Sequence, residues 1–398
     1  MSLAVSTSAP RHRSRNPAHA PFGAGSSRSA AAIVPTMGVE EEFLLVDRRS
    51  RAPVGRASGV IRAASGRLGP LVQPEFFTAQ VESCTSPTSS TAVLRAELAW
   101  LRAELVRAAE TQDCLLVGTG TPVIPPEHPL TITPDERYRR MAVRFASAVG
   151  GCDQPVCGCH VHIGVSSRAQ ALDLANRLRP WLPTLQALSA NSPFDRGRDT
   201  GHASWRAVEH ARWPTVGPAP FLDEASYERM AHDLVQCGAL LDRRMIYWYA
   251  RPSEHVPTLE IRVADVNARL DTVVLLAALV RGLSGVLLPE RDEGRPPPFL
   301  KCGRLREAHR LAALHGLCGG DGLDPVGGAH VPVWHMLDRL RERAAPGLAA
   351  AGDLGMVDTL LDRLRTEGGG AARQRAAHLR RGRLADVVDS LAMTTAAG

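Results

Sequence analysis

Two periods of apolar residues along the chain distinguish its predicted helices from its predicted strands. Leucines at positions 94, 98, 101 and 105 recur every three or four residues and predict a helix over residues 91–112. The consecutive apolar residues FLLV, followed by Asp47, instead predict a strand over residues 37–46. The same criteria predict strands over residues 114–119, 156–165, 245–250 and 257–264, and helices over residues 134–149, 168–189 and 223–240.

The order of these elements predicts the fold class. Strands occur irregularly over the first two thirds of the chain, and helices dominate the last third. This order indicates an α+β fold with an antiparallel sheet rather than a doubly wound fold. Residues 191–220 are rich in glycine and proline and show no clear period. They predict a long loop, and a loop of this length inside a compact chain usually has a function.

Each of four predicted strands carries two polar residues two positions apart, and side chains at that spacing lie on one face of a strand. Carboxylates are seldom buried without a partner, so such strands need a cation, a solvent-filled cleft or a network of ion pairs. If the four strands share one sheet, one face carries carboxylates, imidazoles and a guanidinium, which outlines a cavity for a metal ion and a phosphate group. The four pairs are Glu40 and Glu42, Gln80 and Glu82, His160 and His162, and Glu260 and Arg262.

Each pair also has a simpler interpretation. The acidic run at 40–42 fits a solvated strand edge, and Glu260 with Arg262 fits an ion pair within one strand. The two histidines fit buried side chains with satisfied hydrogen bonds. The repetition of the pattern on four strands is what favours a shared site.

Composition and charge argue against nucleic acid as a partner. The net charge is +6, but residues 1–34 contain four arginines and no acid, which leaves +2 for the rest of the chain. A nearly neutral domain is a poor match for a polyanion, so we expect no nucleic acid partner. We predict that residues 1–34 form a disordered basic tail and that residues 35–398 form a single catalytic domain.

The sequence gives no sign of export or of a membrane anchor. The N-terminal residues lack the apolar run of a secretory signal. Residues 272–288 are apolar but contain Arg281 and are too short to cross a bilayer, so we expect a buried core helix there and no membrane partner. We therefore expect a cytoplasmic protein with reduced thiols. The oligomeric state stays open, and a homo-oligomer is compatible with the sequence.

A cluster of cysteines raises the question of a zinc site. Cys152, Cys157 and Cys159 lie beside His160 and His162. Structural zinc sites usually combine Cys-x2-Cys or His-x3-5-His pairs on turns, whereas here the spacing is Cys-x4-Cys-x-Cys and no second pair follows. Alternation along a strand also turns Cys159 to the face opposite the histidines. We therefore expect the histidines to belong with the polar pairs and the cysteines to be incidental.

Eight segments in a fixed order carry a resemblance to a known family. They are TMGVEEEFLLVD at 36–47, QVE at 80–82, GCHVHIGV at 158–165, NSPF at 191–194, DTGHASWR at 199–206, WPTVGP at 213–218, TLEIRVAD at 258–265 and GAARQR at 370–375. In this set and order they resemble the carboxylate–amine ligases, the type 2 glutamate–cysteine ligases. The resemblance covers nearly all of the chain except its N-terminal tail.

The resemblance implies a glutamine synthetase-like catalytic fold, in which the concave face of an antiparallel sheet flanked by helices holds ATP and a metal ion. It also implies an ATP-dependent ligase. ATP phosphorylates the carboxylate of one substrate, and an amine then displaces phosphate from the acyl phosphate to give an amide. The implied substrates are a small-molecule amino acid and an amine, nominally glutamate and cysteine giving γ-glutamylcysteine. The implied cofactors are ATP and Mg²⁺ or Mn²⁺.

The resemblance further implies roles for the residues at matching positions. The expected metal ligands are Glu40, Glu42, Glu82 and Glu260. Arg262 is expected to neutralise the transferred phosphoryl group and to be catalytic together with Glu42 and Glu260. Arg262, His160 and His162 are expected to contact the nucleotide or its metal ion. The expected substrate-binding residues, on a loop that acts as a lid, are Asp199, Thr200, Ser204 and Arg206.

One departure from the family pattern keeps two other functions open. The family pattern leads us to expect an arginine-bearing stretch with a tryptophan nearby before Gly316, but residues 309–315 read HRLAALH. This difference leaves room for a catalytically silent nucleotide-binding regulator. A zinc-dependent amidohydrolase could use His160 and His162, but it would need further histidines on later barrel strands, which we do not find. GGGAARQR at 368–375 either meets a phosphate group through its backbone amides or simply separates two helices.

Overall fold

One antiparallel sheet forms the centre of the fold and carries the candidate site. The computed structural model describes residues 34–149 and 155–398. Its strands are β1 Met37–Asp47, β2 Val72–Pro74, β3 Gln80–Cys84, β4 Cys114–Val117, β5 Gly158–Gly164, β6 Phe194–Asp195, β7 Arg198–Asp199, β8 Ala250–Pro252, β9 Thr258–Asp265, β10 Asp321–Leu323 and β11 His330–Pro332. The central sheet has the order β2-β3-β1-β5-β9-β8, and β4 pairs with the second half of β1.

All strand pairs of this sheet are antiparallel, so the predicted α+β class is confirmed. The pairs β6–β7 and β10–β11 form separate two-stranded hairpins. The helices are α1 Ala57–Leu68, α2 Thr91–Thr111, α3 Glu136–Arg144, α4 Ala146–Val149, α5 Arg168–Leu178, α6 Leu182–Ser189, α7 Trp205–His210, α8 Glu224–Gln236, α9 Leu270–Asp292, α10 Cys302–His315, α11 Val333–Ala350, α12 Leu354–Glu367, α13 Gly370–Leu379 and α14 Leu384–Ala396.

Alternation along β1 sends its three consecutive glutamates to two different environments. Glu41 points away from Glu40 and Glu42 and is fully buried. Its carboxylate accepts two hydrogen bonds from Arg102 of α2, at 2.5 Å from Nη2 and 3.0 Å from Nε. Arg102 also donates to the carbonyls of Asn267 and Ala268, which follow β9. This paired charge therefore joins β1, α2 and the end of β9 on the side of the sheet away from Glu40 and Glu42.

The long apolar helix predicted around residues 272–288 lies in the core, as expected. It is α9, the single helix in the described part of the chain that is long and apolar enough to cross a membrane, and 78% of its apolar stretch is buried inside the protein. Its one buried arginine, Arg281, forms an ion pair with Asp353 and donates to the hydroxyl of Thr91 at 2.9 Å. A charge in this apolar helix is tolerated because its partners are supplied by the first residue of α2 and by the residue that precedes α12.

Several predicted elements are confirmed and others need correction. The strand over 37–46 and the helix over 91–112 are present as β1 and α2. The helix over 168–189 is divided into α5 and α6 because Pro183 cannot continue a helix and instead lies in the first turn of α6. The helix over 134–149 is likewise divided, at Phe145. The long loop over 191–220 contains a short hairpin and the six-residue helix α7.

The predicted strand over residues 245–250 is wrong. A single 3₁₀ turn ends at Met245, and strand β8 begins only at Ala250. The backbone between them pairs mainly with the loop, and only the Tyr249 carbonyl, among the described backbone–backbone hydrogen bonds of this segment, accepts from the sheet, from the N–H of Arg262. The N–H of Tyr247 donates to the hydroxyl of Thr215, and the N–H of Tyr249 donates to the carbonyl of Gly217. The apolar pattern of this segment therefore reflects contacts with the loop, which a strand period does not reveal. The tail predicted over 1–34 lies outside the described residues apart from Val34.

Helices α9 and α11 cross at two glycines, which gives a direct test of the core packing. A methyl group on Gly347 of α11 would overlap the backbone of Gly282 in α9. We expect Gly347→Ala to lower the free energy of unfolding by about 1–3 kcal/mol, because the helices must move apart. Gly355→Ala is the matched control, since Gly355 is also helical and an added methyl group there meets nothing within 4 Å. Urea unfolding of both variants measures the effect, and an equal stability of the two would contradict the close crossing.

Candidate active site

A cavity of about 470 Å³ lies over one face of the central sheet. Its floor is formed by the residues that alternation predicts to share that face, and the structure brings all four polar pairs together. The eight residues of these pairs, all of which line the cavity, are Glu40, Glu42, Gln80, Glu82, His160, His162, Glu260 and Arg262. The four pairs that the sequence predicts to share one face therefore do share it.

The strand register arranges the floor in three rows. Residues directly opposite each other on neighbouring strands have side chains close enough to interact. The first row contains Gln73, Glu82, Glu42 and Gly158. The second contains Glu40 and His160. The third contains His162, Glu260 and Arg251. The first row thus holds two carboxylates, and Arg251 adds a guanidinium at the far side of the third.

His160 lies between the carboxylates of the floor. Its Nδ1 atom is 3.0 Å from Glu40 Oε2, and its Nε2 atom is 3.7 Å from Glu42 Oε1. Burial, followed by the charge of Arg262, lowers the pKa of His160, so the ring is neutral at pH 7. A carboxylate only accepts hydrogen bonds, so the contact with Glu40 assigns the proton to Nδ1. The Nε2 atom is buried and has no hydrogen-bond partner among the described residues. Its lone pair is then directed toward Glu42.

The second histidine is held differently. His162 Nδ1 lies 2.8 Å from the hydroxyl of Thr258, and its Nε2 lies 3.1 Å from Glu40 Oε1. Burial alone would lower the pKa of His162, but the charge of Glu40 outweighs it and raises the pKa. Burial would likewise raise the pKa of Glu40, but the two histidines outweigh it and hold that pKa well below its usual value. Glu40 is therefore an anion shared by two imidazoles.

The donor atoms of the floor fit a divalent cation. Two groups of side chains each place one donor atom per residue within 4.8 Å of the others, and they are Glu42, Glu82 and His160, and Glu40, His160 and Glu260. Carboxylate oxygens suit Mg²⁺, and a neutral imidazole is a more usual ligand of Mn²⁺. His160 also has the geometry common among metal-binding histidines, in which one ring nitrogen donates to a carboxylate and leaves the other free.

Glu82 of the first row and Glu75 beside it have too little positive charge nearby to offset their burial. Burial, and after it the charges of Glu40, Glu75 and Glu42, raise the pKa of Glu82 well above its usual value. Burial, and then the charge of Glu42, raise the pKa of Glu75 to about 8. Desolvation and like charges shift carboxyl groups in this direction, and a bound cation would reverse the shift. This part of the cavity therefore fits a cation better than it fits an anion.

Glu260 is in a different situation because two arginines already neutralise it. Arg251 Nε donates to its carboxylate at 2.8 Å, and Arg262 forms a second ion pair with it. Arg251 and then Arg262 outweigh the effect of burial and hold the pKa of Glu260 well below its usual value. A metal ion at Glu260 would have to compete with both guanidinium groups. The Arg262 guanidinium also lies over the ring of Tyr247, 5.6 Å from its centroid.

Arg206 is the buried arginine of the described cavity lining with no carboxylate closer than 3.9 Å. That carboxylate belongs to Asp265, at the end of β9. The Arg206 guanidinium lies over Gly158, where a methyl group would overlap it. Its Nε atom is buried and has no hydrogen-bond partner in the described structure. A buried cation with unused donors is suited to an anionic ligand such as a phosphoryl group.

The other three residues expected to bind substrate do not line the cavity described here. Asp199 is exposed and forms a two-bond ion pair with Arg375 of α13, at 2.7 and 2.8 Å. The Thr200 hydroxyl donates to the carbonyl of Pro193, and the Ser204 hydroxyl donates to Asp265 at 2.8 Å. These contacts hold the loop in place. Of the four residues, the structure brings only Arg206 to the floor.

The walls of the cavity contain residues that the sequence analysis did not single out. Most of them come from turns and helices, where no strand period marks them, and Arg251 comes from the three-residue strand β8, which is too short to show one. Aromatic rings form one wall, with Trp213 5.7 Å from Phe76 and 6.1 Å from Tyr247 between centroids. Trp213 belongs to the WPTVGP segment, which the family resemblance already included. Arg251 is placed in the cavity only by the pairing of β8 with β9. The further lining residues of this kind include Glu75, Phe76, Arg137, Tyr138, Trp213, Tyr247 and Arg251.

The cysteine cluster separates from the histidines, as alternation predicts. Cys159 is buried in the apolar core on the face opposite His160. Cys157 is also buried and accepts a hydrogen bond from Gln80 at 3.3 Å. Among the described residues, no group of converging metal donors contains a cysteine. Cys152 lies outside the described residues.

Comparison with known proteins identifies the family. The sequence pattern that defines glutamate–cysteine ligase family 2 matches residues 36–390. The chain belongs to this family. It is therefore a ligase that forms carbon–nitrogen bonds.

Relatives of this ligase extend over nearly the same length. A protein of Mycobacterium sp. (strain KMS), provisionally named glutamate–cysteine ligase 2-2, is 43% identical over 371 residues, which cover 91% of this chain and 99% of the relative. A protein of Saccharopolyspora erythraea, provisionally named glutamate–cysteine ligase 2-1, is 44% identical over 361 residues, which cover 90% and 94%. The family resemblance inferred from the eight segments is confirmed.

Solved structures of low identity share the fold of the ligase. The glutamate–cysteine ligase of Francisella tularensis, solved in complex with AMP, superposes with a TM-score of 0.68 at 14% identity and covers 91% of this chain and 88% of that one. A bifunctional glutathione synthetase of Pasteurella multocida gives a TM-score of 0.65 at 14% identity, with coverage of 91% and 52%. At this identity the likeness concerns the fold alone.

The departure from the family pattern lies in helix α10 of the ligase. His309 is buried and its Nδ1 atom lies 2.6 Å from Gln186 Oε1. Burial lowers the pKa of His309 to about 3, and its ring lies 4.5 Å from that of Tyr249. Residues 309–315 are not among those that line the described cavity. In this chain the segment packs against its neighbours instead of presenting a charge to the site.

Gly158 offers a test of the Arg206 position. An added methyl group on Gly158 would overlap the guanidinium and has no strained backbone angle to overcome. We expect Gly158→Ala to lower the turnover of the ligase by about 10- to 100-fold, because a displacement of about 1 Å at a reacting group has effects of this size. Gly66→Ala is the control, since Gly66 meets nothing within 4 Å. Steady-state kinetics and thermal unfolding of both variants measure the effect, and unchanged turnover in Gly158→Ala would count against this position for Arg206.

Proposed function

We propose that residues 35–398 form a single catalytic domain that joins a carboxylate to an amine at the expense of ATP, through an acyl phosphate. The observation that carries the proposal is that one cavity holds both carboxylates without a cation and an arginine without a close anion. Carboxylates and a neutral histidine on the first two rows of the floor fit a divalent cation. Arg206, over Gly158 at the end of the first row, and Arg262, beside His160 and Glu260, fit the phosphoryl group that such a cation accompanies.

The cation would be held by Glu42 and Glu82, with Glu40 and His160 beside them. Mg²⁺ is the first choice because three of these four groups are carboxylates, and Mn²⁺ is an alternative that accepts imidazole more readily. When bound there, a divalent cation would neutralise phosphate charge and orient the phosphate chain of ATP. Glu260, in this proposal, mainly holds Arg262 and Arg251 in the cavity.

Arg206 would bind the transferred phosphoryl group directly, because its guanidinium is buried without a close carboxylate. Arg262 would add a second positive charge that is restrained by Glu260 and by the ring of Tyr247. Preorganised cations of this kind stabilise the charge that develops during phosphoryl transfer. The structure supports two arginines for this task where the sequence analysis expected one.

The reaction would proceed in two displacements. A carboxylate oxygen of the first substrate attacks the γ-phosphorus of ATP, and ADP leaves with the bridging oxygen. The amine nitrogen of the second substrate then attacks the acyl carbon, phosphate leaves, and the nitrogen releases one proton. The residues of the cavity bind and orient the reactants and balance charge, which is most of what phosphoryl transfer requires of a protein.

The nominal substrates are glutamate and cysteine, after the family name. The relatives that support this pair carry it in provisional names, so the pair itself is the part of the proposal that most needs measurement. The same cavity would serve another small amino acid and amine equally well.

No contact in the described structure favours the amidohydrolase. A nucleotide-binding regulator would bind ATP without turnover, which the following assay detects.

The decisive assay follows both the products and one oxygen atom. We expect the purified protein to release ADP and phosphate from ATP and Mg²⁺ only when a carboxylate substrate and an amine are both present. With ¹⁸O in the substrate carboxylate, one label should appear in the released phosphate, since that oxygen bridges carbon and phosphorus in the acyl phosphate. Mass spectrometry of the phosphate measures the label. Label in AMP, or amide hydrolysis without ATP, would refute the proposed chemistry, and nucleotide binding without turnover would indicate the regulator.

Substitutions on the floor test the assignment of residues. We expect Glu42→Ala to reduce turnover by about 100-fold or more and to raise the Mg²⁺ concentration required, because it removes a cation ligand. Glu260→Ala should also abolish most turnover, by freeing Arg262 and Arg251. Glu127→Ala is the control, since Glu127 is exposed and lies outside the cavity lining. Magnesium titrations of the three variants measure the effect, and substantial activity in both floor variants would contradict the assignment.

A further inference from the structure

A buried polar network lies directly behind Arg206. At its centre is Asp265, the last residue of β9, which is only 2% exposed. One carboxylate oxygen, Oδ2, accepts hydrogen bonds from the N–H of Asn191 at 2.8 Å and from the hydroxyl of Ser192 at 2.7 Å. The other oxygen, Oδ1, accepts from the hydroxyl of Ser204 at 2.8 Å and lies 3.9 Å from Arg206 Nη1. Burial raises the pKa of Asp265, and the Arg206 guanidinium and the three hydrogen bonds oppose that shift only in part.

Two serines transmit the position of Asp265 to the backbone of Arg206. The Ser192 hydroxyl donates to Asp265 and accepts from the Arg206 N–H at 3.0 Å. Ser204 also donates to Asp265, and its oxygen accepts from the N–H of Ala207, so it caps the short helix α7 that carries Arg206. Both serines are completely or almost completely buried, so neither can replace its hydrogen bond to Asp265 with a hydrogen bond to water. The start of α7 is thus tied to the end of β9.

Helix α13 closes the network from the far end of the chain. Gln374 donates to the carbonyl and to the side-chain oxygen of Asn191, at 2.8 and 2.9 Å. The Asn191 amide in turn donates to the carbonyls of Gly118 and Val266. Gly370 approaches Asn191 so closely that a methyl group would overlap its side chain. The GAARQR segment therefore contributes buried contacts with residue 191.

We propose that Asp265 is the positioning residue of Arg206, because it fixes the start of α7 through Ser192 and Ser204 and faces the guanidinium without forming a close ion pair with it. This inference rests on the proposed function, in which Arg206 meets the phosphoryl group. The distance of 3.9 Å matters. A direct hydrogen bond would occupy the donors that the anion needs, whereas a carboxylate one step back orients the charge and leaves the donors available.

A double-mutant cycle tests whether Asp265 acts through Arg206. We expect Arg206→Ala to lower kcat by about 100-fold or more, as loss of a charge-stabilising donor does. Asp265→Asn should lower kcat by about 10- to 100-fold, the usual effect of removing a partner that orients a functional group. The double variant should be no slower than Arg206→Ala alone, since Asp265 has nothing left to position. Losses that multiply in the double variant, or an Asp265→Asn activity within twofold of the wild type, would overturn the proposal.

Milder variants guard against a general loss of folding. Ser204→Ala removes one hydrogen bond to Asp265 and should lower kcat by about fivefold, the factor expected for a single hydrogen bond. Ser284→Ala is its matched control, because Ser284 is also fully buried but bonds only to Val280 of its own helix. Both variants should keep similar melting temperatures. Equal kcat values for the two would contradict a role for the network beyond stability.

A structural readout keeps the test independent of catalysis. If Arg206→Ala leaves turnover unchanged, or if the wild type turns over no substrate, the proposed catalytic role of Arg206 is refuted. That result alone does not decide whether Asp265 positions Arg206. The crystal structure of Asp265→Asn then decides the positioning question. Displacement of the Arg206 guanidinium from above Gly158 supports the proposal, and an unchanged guanidinium position overturns it.

Discussion

The buried ion pair between Glu41 and Arg102 is the constraint on which the rest of the site depends. Glu41 points to the face of the sheet opposite the cavity. Its pairing with Arg102 there leaves Glu40 and Glu42 on the cavity face. A slip of one residue along β1 would place Glu41 in the cavity and turn Glu40 and Glu42 toward the core, where only one of them could meet Arg102. The other would be buried without a cation, which costs several kcal/mol. The pair thus fixes the register of the strand that supplies two of the floor carboxylates.

Charge is distributed unevenly across the cavity, and this asymmetry suits the proposed chemistry. Glu260 is balanced by two arginines, whereas Glu75 and Glu82 have raised pKa values because burial and neighbouring carboxylates disfavour their charged forms. The carboxylates of the first row therefore lack a cation, and Arg206, which lies over Gly158 at the end of that row, lacks an anion at close range. A phosphate chain accompanied by a divalent ion would supply both charges.

The floor of the site was predictable from sequence and its walls were not. A period of two places Glu40 with Glu42 and His160 with His162 on one face of each strand, and antiparallel pairing brings those faces together. Glu75 lies between β2 and β3, where no period marks it. Tyr138 shares an apolar stripe of α3 with Met141 and Ala142, which predicts burial but not that its ring lines this cavity. The hydrogen bonds of the segment before β8 run to a distant loop, so local pattern assigned it the wrong structure. Long-range backbone pairing of this kind leaves no period in the sequence.

The contact between Gln374 and Asn191 has a consequence for how the protein becomes active during its synthesis. Gln374 lies in α13, the penultimate helix of the chain. Four helices, α9 to α12, separate it in sequence from Asp265. Domains fold as their segments leave the ribosome, so the sheet can assemble well before α13 is available. The segment that carries Arg206 gains its last anchor only when the chain is almost complete. An unfinished chain that ends before α13 therefore lacks the contact of Gln374 with Asn191 that supports the network around Asp265.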